Sequence, residues 1–247
     1  MSQKNCLCLS AAMLMVILAV EHYTDIDVLI SDYAYDFTEH RWLITPALHQ
    51  KLSPFFYEGA KRLVAAIGTT CVIYLLLSAW KKEWRRNFVA VLTVLLSTMI
   101  VPSTVSWLKT FTNVYCPNQL QIYEQRYPYV RVLESYPSAF QAEHRGRCFP
   151  GGHVTGAFSL MALYLVFQDK KKKAAALGGA VCFGFITGAY QILRGEHFLS
   201  HNLFSMFLSA VLIIIIHNAV AYAAHRFILY KTWKNKNGHS ENFLKIR

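Results

Sequence analysis

Charge is scarce in this chain. Only 16% of its 247 residues are Asp, Glu, Lys or Arg, against 54% hydrophobic, which excludes an ordinary soluble domain with a charged shell. Acidic residues are the scarcer sign, 14 against 25 Lys and Arg. The surplus of positive charge comes without aromatic-basic platforms or recognition motifs, so nucleic acid is excluded as a partner. A disulfide framework is lacking as well: of six cysteines, Cys6, Cys8, Cys71 and Cys182 fall inside apolar runs, where a thiol behaves as a small hydrophobe. No small-x-small cleavage site precedes Asp25, so the first apolar run is expected to stay as an anchor. Internal repeats are lacking, and the one low-complexity tract is Lys170 to Lys173.

What the chain does have is apolar runs of roughly 18 to 24 residues, the length a helix needs to cross a hydrocarbon core. They predict an all-α polytopic membrane protein in one domain, residues 1–247, with six transmembrane helices at about 6–20, 57–80, 88–108, 151–167, 174–193 and 198–224. Basic residues cluster at Lys81, Lys82, Arg85 and Arg86, at the lysine tract, and in a tail at about 225–247. By the positive-inside rule these are cytoplasmic, as are both termini. Outside lie an early segment, about 21–56, rich in aromatics and carrying Asp25, Asp27, Asp32 and Asp36, and a long loop, 109–150, with four prolines. The short chain and basic loops fit a bacterial inner membrane, with a site facing the periplasm.

Three polar groups sit where spans meet the outer surface, and ionisable residues there are costly and usually functional. Lys109 ends the third span. Phe149-Pro150-Gly151-Gly152-His153 opens the fourth; the two glycines allow close backbone approach, and the free N–H groups of a helix start favour an anion. His153 could donate a proton to a leaving oxygen. Gln191, Arg194, His197 and His201 follow one another at spacings of three, three and four, which would put them on one face of a helix. An always-charged guanidinium beside imidazoles suits a phosphate ester, and His197 could attack phosphorus to form a phosphohistidine. The plainer alternatives are an incidental loop histidine and an interfacial His-Arg cluster reaching for headgroups.

Lys109–Pro117, Cys148–His153 and Tyr190–His201 resemble, in order and spacing, the three signatures of the type 2 phosphatidic acid phosphatase superfamily: Lys-x6-Arg-Pro, Pro-Ser-Gly-His and Ser-Arg-x5-His-x3-Asp. The resemblance covers the core at about 105–205. It implies a lipid phosphatase needing no cofactor or metal, with His197 as nucleophile, His153 as acid and His201 at the orienting position, and with Lys109, Gly152, Gln191, Arg194 and Arg147 around the phosphate. Its implied partners are a phospholipid or lipid-linked phosphate and the bilayer, with no obligatory protein partner. The sequence departs from the pattern at Cys116 for Arg, Gly151 for Ser, Gln191 for Arg and His201 for Asp. Arg194, one turn from Gln191, and Arg145 or Arg147 are the local substitutes for the missing guanidinium groups. His201 could accept a hydrogen bond from His197 but brings no carboxylate. Cys116 and Cys148, on the outer side where disulfides persist, are expected to pair across the long loop, the alternative being two free thiols.

Three other readings remain open at this stage. A phosphotransferase would use the same intermediate with another acceptor. A degenerate relative would bind a lipid phosphate without turnover. A zinc hydrolase would use the i, i+4 pair His197 and His201, but Glu196 precedes the first histidine instead of following it, so the zinc-protease pattern is missing.

Overall fold

A computed structural model describes residues 2–80 and 86–243, with side chains through Lys231 apart from Ala79. The basic connection at Lys81, Lys82 and Arg85 and the last residues of the tail, 244–247, lie outside the described residues. The described residues are mostly helical: α1 (Gln3–Tyr23), α2 (Ile26–Asp32), α3 (Pro46–Phe56), α4 (Glu58–Trp80), α5 (Phe88–Thr112), α6 (Thr155–Ser159), α7 (Lys170–Ile192) and α8 (Leu199–Phe243). One small antiparallel pair, β1 (Tyr35–Asp36) with β2 (Arg41–Trp42), sits between α2 and α3.

Five of these helices are long and apolar enough to cross a membrane: α1, α4 together with the preceding α3, α5, α7 and α8. Their mostly lipid-facing surfaces are the expected inverse of a soluble core. Helix starts carry their own caps: Ser2, Thr45 and Asp169 each accept from the backbone N–H three residues on, satisfying a group the helix cannot.

The fourth predicted span is corrected. Residues 151–167 do not form one helix: α6 begins at Thr155 and passes into a 3-10 turn, Leu160–Leu165. The apolar stretch Thr155–Leu165 rises about 20 Å of the ~30 Å hydrocarbon core, and the non-helical residues 166–169 complete the passage to the start of α7. The reason lies at its start, where the Gly151 N–H is bonded to the His201 carbonyl at 3.1 Å, so that the glycines are held by α8 instead of opening a helix. Nor is the Gly151 N–H free for an anion. The basic tail, for its part, continues α8, which runs 45 residues, about 68 Å.

α8 is the spine. α1 and α5 pack along it, and α6 is wedged between α5, α7 and α8. Val94, Val101, Val105, Val154 and Phe158 are fully enclosed in this seam.

The start of α8 is held from outside the helix. Asp27 of α2, only 5% exposed, accepts from the Ser200 N–H at 2.9 Å and from the Ser200 hydroxyl. A carboxylate at a helix N-terminus satisfies a free N–H and meets the positive end of the helix dipole. Burial raises the Asp27 pKa while the Ser200 bonds oppose the rise. Asp27→Ala is expected to cost about 1–3 kcal/mol, because it leaves buried donors unpaired. The thermal midpoint in detergent would fall by roughly 2–4 °C per kcal/mol, whereas an unchanged midpoint would refute this clamp.

Candidate active site

The ends of α5, α7 and α8 and the 150–154 segment meet at one end of the bundle, under the folded loop 113–150. Cys116 and Cys148 are joined as a disulfide, Cα atoms 5.1 Å apart, which ties the two ends of that loop. The loop itself is packed by rings, with Tyr115 stacked on Tyr127 at 3.8 Å between centroids and Tyr123 completely buried.

His197 lies at the centre, 1% exposed. Its Nδ1 is 3.3 Å from the Cys148 Sγ and its Nε2 is 3.2 Å from His153 Nδ1. A disulfide sulfur carries no proton and can only accept, so the contact favours a proton on His197 Nδ1 and a lone pair on Nε2. His153 then donates from Nδ1 toward that lone pair, and its Nε2, 3.3 Å from the Tyr57 hydroxyl, accepts from it. The result is a directed chain, Tyr57 to His153 to His197 to Cys148.

Burial, followed by the positive charges of Lys109, Arg194 and Lys61, pushes the pKa of His153 down to about 4. Burial first, and Lys109 next, hold His197 well below the usual imidazole value. Both rings are therefore neutral near pH 7, as a nucleophile must be.

The cations surround these rings. Lys109 runs across Gly152, where a Cβ would stand 3.0 Å from its Nζ, so that any side chain at 152 would push the end of the lysine aside by a few tenths of an ångström. Arg194 donates to Gln191 Oε1 and Glu196 Oε1, each at 3.2 Å. Gln191, 1% exposed, thus holds the guanidinium that the family pattern would have put at its own position. Arg147 is exposed, and its charge reaches Lys109. Arg145 is bonded to the Phe111 carbonyl at 3.0 Å and belongs to the loop.

Two sequence expectations change here. Gln191, Arg194, His197 and His201 do not share one helix: α7 ends at Ile192, and the chain turns through Gly195 at φ +68° before α8 begins. They converge by a turn that needs a glycine, since the left-handed region disfavours a Cβ. His201 does not orient His197. Their ring centroids are 5.9 Å apart, His201 bonds the Cys148 backbone, and its Nδ1 has no partner. The disulfide sulfur occupies the place beside His197 Nδ1, and His201 packs behind it against Phe149 and Phe198.

Residues from the early segment and from the start of the second predicted span also contribute. Besides Tyr57 and Asp27, His49 Nδ1 lies 2.5 Å from the Tyr190 hydroxyl, and Lys61 sits over the Tyr57 ring at 3.8 Å. Tyr57 and Lys61 are four apart at the start of an apolar helix, a faint signal that could have flagged them. For Asp27 and His49 the sequence holds no comparable signal.

Among the described residues, one trio could hold a metal by proximity, Cys116, Cys148 and His197. With the two sulfurs bonded to each other, no thiolate remains, and the trio offers one imidazole rather than three ligands.

A family model described as the PAP2 superfamily matches residues 87–224, more than half of the chain, and takes in Lys109, His153, Arg194 and His197. The chain belongs to the PAP2 superfamily. Neither a curated protein nor a solved structure matches it. PAP2 members are phosphatases and phosphotransferases, and the apolar helices mark this one as a membrane protein. The PAP2 match leaves out α1 to α4, and with them Asp27, His49, Tyr57 and Lys61.

Proposed function

We propose that this PAP2 protein is an integral membrane lipid phosphatase acting through a phosphohistidine on His197, without a metal. The observation that carries the reading is the buried His197 ring, its Nε2 3.2 Å from His153 Nδ1 and within the field of Lys109 and Arg194. A phosphate drawn in by the two cations enters between the rings. His197 Nε2 attacks phosphorus, the P–O bond to the lipid breaks, and His153, charged once the phosphate anion is beside it, gives its proton to the leaving oxygen. Lys109 and Arg194 stabilise the charge on the equatorial oxygens. Water, deprotonated by the now neutral His153, then attacks the phosphohistidine and releases inorganic phosphate.

A lipid substrate is supported by the cavity at the site, about 640 Å³, which has Lys109, His153 and Gln191 at its polar end and extends between the apolar helices α4 and α5. The candidates are phosphatidic acid, phosphatidylglycerol phosphate, an isoprenyl diphosphate and a lipid A phosphate. The protein would sit in a bacterial inner membrane with both termini in the cytoplasm and this end of the bundle in the periplasm. The test is phosphate release by detergent-purified protein from these four lipids, with and without EDTA. Release from at least one, at the same rate in EDTA, is the expected result; loss of release in EDTA would refute the metal-free mechanism.

A further inference from the structure

Two cysteines and a histidine that lie far apart in the chain, Cys116, Cys148 and His197, have their ligating atoms all within 4.8 Å of one another. While the sulfurs are bonded to each other, a metal finds no thiolate there. Once that bond is cut, the same three side chains offer two thiolates and one imidazole, a donor set suited to a soft tetrahedral ion. The distances fit such an ion. With Zn–S at ~2.3 Å and Zn–N at ~2.05 Å, tetrahedral angles put a sulfur and a nitrogen about 3.6 Å apart. Cys148 Sγ already stands 3.3 Å from His197 Nδ1, so this edge needs only a few tenths of an ångström. The sulfur–sulfur edge opens when the bond is cut, because two thiolates repel each other. Access is one-sided: Cys148 and His197 are enclosed, whereas Cys116 is half-buried at the start of the long loop. Reductant and ion reach the trio from that side.

We propose that Cys116, Cys148 and His197 form a latent site for a thiophilic ion of the zinc(II) class, closed by the disulfide and opened by a dithiol. The dithiol passes two electrons and two protons to the disulfide and leaves as its own disulfide. The ion then displaces the two thiol protons and binds Nδ1 of His197. The consequence for catalysis rests on the phosphatase reading. With Nδ1 on the ion, the single proton of the neutral ring sits at Nε2, where the lone pair for phosphorus would be. The bound ion therefore blocks the attack and leaves Lys109 and Arg194 free to hold phosphate.

The experiment uses the full protein in detergent, with cobalt(II) as the coloured stand-in for zinc. The free thiols within reach, Cys6, Cys8 and Cys182, are first blocked with N-ethylmaleimide while the disulfide is intact. Dithiothreitol is then added and removed without air. The reduced protein is expected to bind one cobalt per chain, with a sulfur-to-metal charge-transfer band and the intense visible bands of a tetrahedral site, and zinc should displace it. The oxidised protein, treated alike, should bind none. His197→Asn keeps both cysteines and is expected to bind cobalt at least ~100-fold more weakly, since losing even an outer partner of a ligand costs 10–100-fold. No band in the reduced protein, equal binding by the oxidised protein, or equal binding by His197→Asn would each overturn the site. Zinc should also slow phosphate release by the reduced protein at least ~10-fold, reversibly with EDTA, and leave the oxidised protein unchanged. Full release from zinc-loaded protein, or reduced protein that stays inactive in EDTA, would overturn the block. Tetrahedral cobalt without phosphate release from any lipid supports the site and refutes the phosphatase reading, so the two fail separately.

Discussion

Replacing His197 by Asn is expected to lower phosphate release by at least ~10⁴-fold, the scale seen when a nucleophile acting within a tight group is removed. The ring is 1% exposed and has one nitrogen turned to the Cys148 sulfur and the other to His153. Only Nε2 can reach phosphorus. No second imidazole can take over, because His201 is turned away behind Phe149 and His153 is needed as the acid. The measurement pairs steady-state release with rapid trapping of a phosphoenzyme from radiolabelled substrate. The wild type should yield a label that survives base and is lost in acid, as a phosphorus–nitrogen bond is, and His197→Asn should yield none. A variant that keeps its rate within about tenfold would end the nucleophile assignment, provided its thermal midpoint matches the wild type.

His153→Gln is expected to cost about 10²–10⁴-fold in kcat, the usual worth of a positioned general acid. The loss should depend on the leaving group: nearly full for an alkyl alcohol, small for 4-nitrophenol, which departs without a proton. The pH profile carries the same signature with a definite sign. In the free protein, burial and the charges of Lys109, Arg194 and Lys61 hold His153 neutral down to about pH 4. A bound phosphate of opposite charge raises that value, so the wild-type kcat should fall toward alkaline pH as the complex loses the His153 proton. His153→Gln should lack that alkaline fall. A variant losing equal activity on both esters and keeping the alkaline limb would show that His153 positions the substrate without protonating it.

Much of the site was legible because its chemistry is compressed into short spacings. Lys109, Gly152-His153 and Arg194-x-x-His197 stand at the ends of apolar runs, where charge is costly unless used, and the structure brings them to one end of the bundle, with Lys109, Gly152 and His153 lining the cavity and His197 3.2 Å from His153. The connections between them were not legible. Helical spacing put His201 beside His197, but His197 lies in the irregular connection after the Gly195 turn and before α8 starts at Leu199, and such a connection sends side chains in directions that a 3.6-residue period does not describe. The glycines before His153 read as a helix start, whereas a long-range bond from Gly151 to the His201 carbonyl delays the helix by four residues.

By itself, then, the amino-acid sequence determined the all-α membrane class and pointed to polar residues that the fold gathers at one end of the bundle, because both follow from local properties: run length against bilayer thickness, and the cost of charge in lipid. Tertiary structure alone decided the rest. Which atom faces His197 Nδ1 and which carboxylate holds the start of α8 are both contacts between residues far apart in the chain. Cys148 reaches His197 across 49 positions and Asp27 reaches Ser200 across 173. No periodicity encodes such pairs; they exist only once helix packing has fixed the distances over which hydrogen bonds and van der Waals contacts act.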